Sequence, residues 1–222
     1  VSILHFGQDS SGNFLLGRGD SGGLFLLQLG NCFNIIPNRD RYLKLAEHAL
    51  ESEGVGSSAA GEQPKFTVIL ENPNPTHAIV KFTAPEKNAV TQRWASLLQA
   101  EWLASEVLRK AGFASAHSEF LAIENQWFLE VERFDRVGLY GRLGLVSLAA
   151  IDHEFVGQAD ATWSIQAITL YQQGLISADD MERIHHLYVF GCLIGNTDMH
   201  LGNLSFFHDQ TTNLRLAPVY DM

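Results

Sequence analysis

Cysteine is scarce in this chain: Cys32 and Cys192 are the only two in 222 residues, they lie far apart, and the second sits inside an apolar run. Two distant thiols supply neither a disulfide framework nor the paired spacing of a zinc ribbon, which suits a reducing compartment. Long apolar runs are missing as well. The most extended, "LYVFGCLIG" (Leu187 to Gly195), falls well short of the roughly 20 residues that a bilayer helix needs, and no basic segment followed by an apolar one opens the chain. Neither a membrane span nor a secretion signal is expected, and the expected location is cytoplasmic. Positive charge is also in deficit. The 15 Lys and Arg against 25 Asp and Glu leave a net charge of −10, which argues against a surface that coats nucleic acid; no direct nucleic-acid binding is evident in this segment. Internal repeats and low-complexity tracts are lacking. What the chain does have is 46% hydrophobic and 18% charged residues, enough for a sizeable core in one large or two small domains. It stops directly after the strand-like "LAPVYDM", so a piece of a longer protein is expected.

From Val1 to about Asn34, short apolar runs broken by glycine pairs read as β-hairpins. Within them "GDSGG" (Gly19 to Gly23) matches the loop around the nucleophile of trypsin-like proteases. Almost nothing precedes it that could hold the required histidine and aspartate, so a glycine turn is the reading. Residues 39–51 read as a short helix and "SEGVGSSAAGEQP" as a small-residue linker. "KFTVIL" and "HAIVKF" make a β-pair around the turn "ENPNPT". The stretch from Asn88 to Ala111 carries helix-spaced Trp94, Leu97, Leu98 and Leu108 and closes on Gly112. "EFLAIEN" and "QWFLEVERF" form a hairpin. Beyond Arg136 the β-rich texture gives way, and Ser177 is expected to cap a buried helix from about Ala178 to Ile194.

Two constellations carry chemistry. Lys81 lies mid-strand among apolar residues, where a lysine alone reads as solvent-facing. Glu101 shares a helix face with Leu97 and Leu98. From spacing it fits equally a boundary residue with its head in water and a carboxylate paired with Lys81, since a buried ammonium is tolerated only when paired. At the end of the later helix, "GNTDMHLGN" holds Asp198 and Asn203 five apart, the spacing found in kinase catalytic loops, where the aspartate orients the incoming hydroxyl and the asparagine holds magnesium. An outgoing strand "LSFF" and a returning strand "LRLAPV" are expected to bring Asp221 back beside Asn203, adding a second oxygen ligand for magnesium beside phosphates. His200, with Asp198, His208 and Asp221, offers a competing metal-hydrolase reading. Its H-x7-H spacing spans a strand and points the rings apart, so His200 is expected to brace the loop through backbone carbonyls.

Four separate motifs, "SAAGEQPKF", "FLEVERFDR", "GNTDMHLGNLSFF" and "LAPVYDM", together resemble the HipA-like kinases, bacterial serine/threonine kinases often encoded as toxins beside an antitoxin. The resemblance covers Ser58 to the end. It implies an α+β, bilobal protein-kinase-like fold with a β-rich N-terminal lobe and a helical C-terminal lobe, incomplete here. The expected divisions are a β-rich subdomain at 1–50, a nucleotide-binding lobe with its hinge at 51–136, and the start of the helical lobe at 137–222. ATP and Mg2+ are implied. Lys81 would contact the α/β-phosphates with support from Glu101, Glu132 and Phe134 would meet adenine through backbone groups, and Asp135 would lie near the ribose. Asp198 would be the catalytic aspartate, with Asn203 and Asp221 as magnesium ligands. Gly61 and Gln63 belong to a loop over the phosphates, in which small residues let backbone N–H groups approach, and Ser58 aligns with a serine that such kinases autophosphorylate. The implied partners are a protein substrate, with translation machinery suggested by the family, and a cognate antitoxin. One departure stands out: where the family has lysine before the asparagine, this chain has Gly202. Gly202 and the expected truncation keep a second reading open, a non-catalytic nucleotide- or antitoxin-binding module.

Overall fold

The structure, a computed structural model, describes residues 34–52, 63–71, 74–208 and 213–222. The hairpins and glycine turn expected before Asn34, together with Ser58 and Gly61, lie outside the described residues. The chain divides into two compact units: among the described residues, one draws on 34–104 and 116–141, the other on 105–115 and 142–222.

In the first unit, strands β1 (Ile35–Ile36), β2 (Lys65–Leu70), β3 (Thr76–Phe82), β4 (Ser118–Ile123) and β5 (Gln126–Glu132) form a sheet in the order β1-β2-β3-β5-β4. β1 runs parallel to β2, and the remaining neighbours are antiparallel. Side chains alternate between faces with a period of two. Phe66, Val68, Val80, Phe82 and Phe128 therefore share one face, where they cluster with Ile36 and with Tyr42 and Ala46 of helix α1 (Tyr42–Ser52). Phe66 and Phe82 meet at a tilt at 5.6 Å, Phe82 stacks on Phe128 at 6.1 Å, and Tyr42 meets Phe66 edge-on at 5.4 Å. Lys81, Leu129 and Phe120 occupy the opposite face, paired across the strands. There they meet helix α2 (Ala89–Lys110), whose Trp102 stacks on Phe120 at 6.3 Å.

The expected start and stop signals of α2 are in place. The Oδ1 of Asn88 accepts the N–H groups of Val90 and Thr91 at 2.9 and 3.0 Å, and Gly112 follows the helix at φ 86°. Leu98 and Leu108 are buried, whereas Leu97 is 48% exposed, so the apolar face is narrower than the sequence spacing suggests. The start of α1 is tied down by charge. The Arg39 guanidinium donates to Glu130 of β5 through Nε at 2.7 Å and Nη2 at 3.0 Å, the Tyr42 hydroxyl donates to Glu130 Oε2 at 2.6 Å, and Arg39 also pairs with Glu119 at 2.8 Å.

The second unit is richer in strand than the sequence suggests. After the short β6 (Arg136–Val137) and β7 (Gly141–Arg142), strands β8 (Leu145–Ser147), β9 (Ser205–Phe207) and β10 (Arg215–Leu216) form an antiparallel sheet in the order β10-β9-β8. A short α3 (Leu148–Ile151) leads into a π turn, Asp152–Val156, closed by Gly157 at φ 71°. Two longer helices then pack together, α4 (Trp163–Gln172), capped by Thr162, and α5 (Ala178–Ile194), capped by Ser177 as expected. The π turn and α4 had no counterpart in the sequence reading. α5 is also less buried than its apolar composition implies. Only Ile184, Leu187 and Gly191, one stripe of a 3.6-residue period, are buried, and Leu193 is 80% exposed. No helix among the described residues is long and apolar enough to cross a membrane.

Glu130 binds one guanidinium and one phenol, so Glu130→Ala leaves a buried hydroxyl without its acceptor and weakens the anchoring of Arg39. It is expected to lower stability by about 2 kcal/mol and the melting temperature by roughly 4–8 °C. Burial, reinforced by the bond to Glu130, raises the Tyr42 hydroxyl well above its ordinary value of 10.0. A group whose pKa is raised on folding contributes fully below its unfolded value, so this contribution should fade as the pH climbs past about 10. Urea denaturation between pH 8 and 11 should show that decline in the wild type and a shallower one in Tyr42→Phe.

Candidate active site

Lys81 and Glu101 come together. The Lys81 ammonium, carried on β3, donates to both carboxylate oxygens of Glu101 on α2, at 2.7 and 2.9 Å. The two side chains are only 16% and 19% exposed. This settles the alternative left open by spacing: the carboxylate turns inward to the lysine. The pair places a fixed positive charge on the α2 face of the sheet, beside Leu129. Gln63, just before β2, donates its amide to the carbonyl of Phe82 at 3.4 Å, so it lies against the strand that carries Lys81.

The turn after β5 is stiffened from within. Glu132 donates its N–H to the His117 carbonyl at 2.8 Å, and its side chain is exposed. Arg133 donates its N–H to the His77 carbonyl at 2.8 Å, while the His77 ring meets the Leu139 carbonyl through Nε2 at 3.2 Å. Phe134 is half-buried. Asp135 is buried, its carboxylate gripped by Arg133 through Nε and Nη2, both at 3.0 Å, and by the Nη1 of Arg136. Asp135 thus braces the turn, and a ribose hydroxyl would have to compete with two guanidiniums for it. The family resemblance implies a place near the ribose for Asp135 and gives no sign of this clamp, which depends on how the turn folds the two guanidiniums back onto one carboxylate.

In the second unit, α5 ends at Gly195 with φ 72°, and the Asn196 N–H returns to the Gly191 carbonyl at 2.9 Å. From there the chain is held at nearly every residue. Asn196 Oδ1 accepts the Asp198 N–H at 2.9 Å. The Asp198 carbonyl accepts the His200 N–H at 2.9 Å and the Asn203 amide Nδ2 at 2.8 Å. The His200 carbonyl accepts both the Asn203 N–H at 3.1 Å and the Trp163 indole N–H at 3.1 Å. Asp198 and Asn203 are therefore fixed to one another through backbone, leaving the Asp198 carboxylate on the exposed side of the loop. The Asn203 amide nitrogen is spent on Asp198, and its Oδ1 is the atom available as a hard oxygen donor.

His200 braces the loop, by a route different from the one expected. Its Nδ1 accepts the Gly202 N–H at 3.0 Å instead of the ring donating to carbonyls. The absence of a side chain at Gly202 makes this possible, since a Cβ there would stand 2.8 Å from both Nδ1 and Cε1 of His200. The strand return also takes shape. Phe206 pairs with Leu216, the Ala217 N–H reaches the Ser205 carbonyl at 2.9 Å, and the Tyr220 hydroxyl bonds the Gly202 carbonyl at 2.8 Å and Ser205 Oγ at 2.6 Å. Tyr220 thereby ties the residue before Asp221 to the residue before Asn203. Asp221 itself has φ 53°, a left-handed conformation that a non-glycine residue adopts at some cost. Asn203 and Asp221 carry side-chain oxygens of the kind that magnesium prefers. Among the described residues, no three His, Cys, Asp or Glu side chains gather as a metal-binding group of their own. Sequence reading missed Asn196, Trp163 and Tyr220. The first could have been found, because Asn two residues before an N–H it can cap is a local turn signal; the other two act across 37 and 18 positions.

A family model described as the HipA-like C-terminal domain matches residues 57–222. The chain is 40% identical over 223 residues to Toxin YjjJ of Escherichia coli (strain K12), covering all of this chain and 50% of that protein. It thus spans about half the length of the curated relative it matches. Among solved structures, it is similar to a chain of the Shewanella oneidensis MR-1 toxin–antitoxin complex of HipA, HipB and operator DNA, with a TM-score of 0.67 and 18% identity over 99% of this chain and 56% of that one. It is also similar to the Helicobacter pylori proinflammatory kinase CtkA, with a TM-score of 0.55 and 16% identity over 73% of this chain and 54% of that one. These likenesses show an α+β, kinase-like fold.

The Lys81–Glu101 pair yields a stability test that does not depend on activity. Lys81→Met leaves a largely buried carboxylate without its counter-charge and should cost about 3 kcal/mol, whereas Lys81→Met with Glu101→Leu should recover most of that loss. Equilibrium denaturation of the single and double variants reads the difference.

Proposed function

The chain belongs to the HipA-like C-terminal domain family, and from that premise we propose that it is the catalytic part of an ATP-dependent serine/threonine protein kinase of the toxin type. In this reading residues 51–136 form the nucleotide-binding lobe and 137–222 the start of the helical lobe, with 1–50 as a β-rich subdomain. The observation that carries it is the loop that bonds Asn203 to the Asp198 backbone and has Tyr220 bring Asp221 back toward it.

The chemistry follows from the residues present. The Lys81 ammonium, oriented by Glu101, would hold the α/β-phosphates of ATP. Backbone groups of Glu132 and Phe134 would receive adenine, and Gly61 and Gln63 would contribute to a loop over the phosphates. Asp198 would accept the proton of the substrate hydroxyl as that oxygen bonds to the γ-phosphorus and the bond to the β,γ-bridging oxygen breaks, releasing ADP. Asn203 Oδ1 and the Asp221 carboxylate are the groups that would hold Mg2+, whose chemistry when bound is to neutralise charge on the phosphate oxygens. Catalysis here rests on alignment and charge more than on covalent chemistry. Phosphorylation of Ser58 would displace its loop and silence the enzyme. The substrate is a protein hydroxyl, with translation machinery suggested by the family, and the setting is cytoplasmic. HipA in the solved relative is described with HipB, which supports an antitoxin partner for this chain. One observation favours the second reading, a non-catalytic nucleotide- or antitoxin-binding module: Gly202 removes a cation that the family places beside Asn203.

Asp198→Asn separates the two readings. In the full-length protein it should retain ATP binding, measured by calorimetric titration with magnesium, while phosphoryl transfer falls by a factor of about 100 or more. Asp221→Ala should weaken magnesium-dependent binding and turnover together. Wild-type protein incubated with ATP should acquire phosphate on the peptide containing Ser58, and Asp198→Asn should not. Equal phosphorylation in both, or no transfer by the wild type to itself or to added proteins, would favour the binding module.

A further inference from the structure

A glycine in the interior of a helix is destabilising relative to alanine and calls for a reason. Gly191 sits in the last turns of α5 and is buried. A Cβ placed on it would stand 2.0 Å from the sulfur of Met199, 3.1 Å from its Cε and 3.4 Å from its Cγ. The thioether of Met199 therefore fills the space that any side chain at 191 would need. Met199 lies between Asp198 and His200, so the knob that enters this notch belongs to the loop itself. The same glycine also holds the loop by its backbone: its carbonyl accepts the Asn196 N–H at 2.9 Å, and Asn196 Oδ1 in turn accepts the Asp198 N–H at 2.9 Å. Two independent connections thus run from one helical residue to the two sides of Asp198.

We propose that Gly191 and Met199 form a knob-and-notch latch that sets the position of Asp198, making Gly191 a positioning residue for phosphoryl transfer. This rests on the reading of Asp198 given above. The latch is specific to a chain with no side chain at 191. A methyl group there drives the Met199 thioether out of the notch; the flexible side chain lets this happen without the helix unfolding, and the loop that the thioether had held against α5 loses that hold beside Asp198. Alanine suits the helix better than glycine, so loss of fold is not the expected consequence.

The test uses the full-length protein as wild type, Gly191→Ala, Met199→Ala and the double variant. Gly191→Ala should lower kcat at least tenfold and raise KM for ATP by a clearly smaller factor, since Lys81, Glu132 and Phe134, assigned to the nucleotide, lie outside the loop. It should also shift the Met199 methyl resonance and speed hydrogen exchange of the Asp198 amide at least tenfold. With the knob removed, a methyl at 191 meets nothing, so the double variant should be no worse than Met199→Ala alone. Multiplying losses in the double variant, or wild-type kcat in Gly191→Ala, would overturn the proposal. If the wild type transfers no phosphoryl group, the kinase reading fails separately, and the exchange measurement still decides the latch: an Asp198 amide equally protected in wild type and Gly191→Ala would sink it.

Discussion

A lysine ammonium among apolar strand residues is tolerable only beside a carboxylate, and much of the first unit is arranged to supply one. Lys81 projects to the α2 face of the sheet because the strand period sets it against Phe82 and Val80, which fill the other face. Glu101 meets it because α2 is started by Asn88 and runs along that face with Leu98 buried one turn earlier. A one-residue slip of β3 would turn Lys81 into the aromatic cluster and Phe82 toward the Glu101 carboxylate on α2, so the ion pair and the core enforce the same register. The pair is consequently as much a constraint on folding as a source of charge.

Buried charge is used elsewhere in the unit in the same manner. Glu130 lies on the α1 face, in the strand that also carries Phe128, and its two oxygens are taken by Arg39 and Tyr42. That arrangement fastens the residues before α1 to the middle of the sheet. Asp135 is likewise enclosed by Arg133 and Arg136 in the turn after β5. Such groups cost desolvation and return it only when every oxygen is engaged. They give a particular geometry to segments that apolar packing alone would leave adjustable.

The second unit positions its functional loop with neutral hydrogen bonds. A helix end leaves carbonyls unpaired, and the Gly195 turn uses one of them for Asn196, which then holds Asp198. Each later anchor of the loop finds its partner within the loop, or in Trp163 or Tyr220. The loop's scaffold runs through the backbone of Asp198, so its carboxylate stands exposed without the loop being disturbed. Gly202 and Gly191 serve the loop by what they lack: one admits the His200 ring and the other the Met199 side chain.

Much of the fold, and the Lys81–Glu101 pairing as one of two open alternatives, was legible in the sequence, for reasons that are local. Alternation around Lys81, the Asn88 and Ser177 caps, Gly112, and the five-residue spacing of Asp198 and Asn203 are properties of neighbours in the chain. Strands β2 to β5, α2, α5 and the position of the loop after it could therefore be read from the order of residues. The short α4 was hidden because its buried face, Trp163, Gln166, Ala167 and Leu170, includes a polar residue, and the exposed Ile165 and Ile168 blur its period. What the sequence by itself determined was strands β2 to β5 of the first unit, α2 and α5, and which residue types stand at the ends of those helices. The tertiary structure alone decided that Glu101 turns inward, that Asp135 is spent on two arginines, and that Met199 occupies the place of a side chain at Gly191. Each of these depends on which distant groups the packing brings within a few ångströms, and no spacing along the chain encodes that distance.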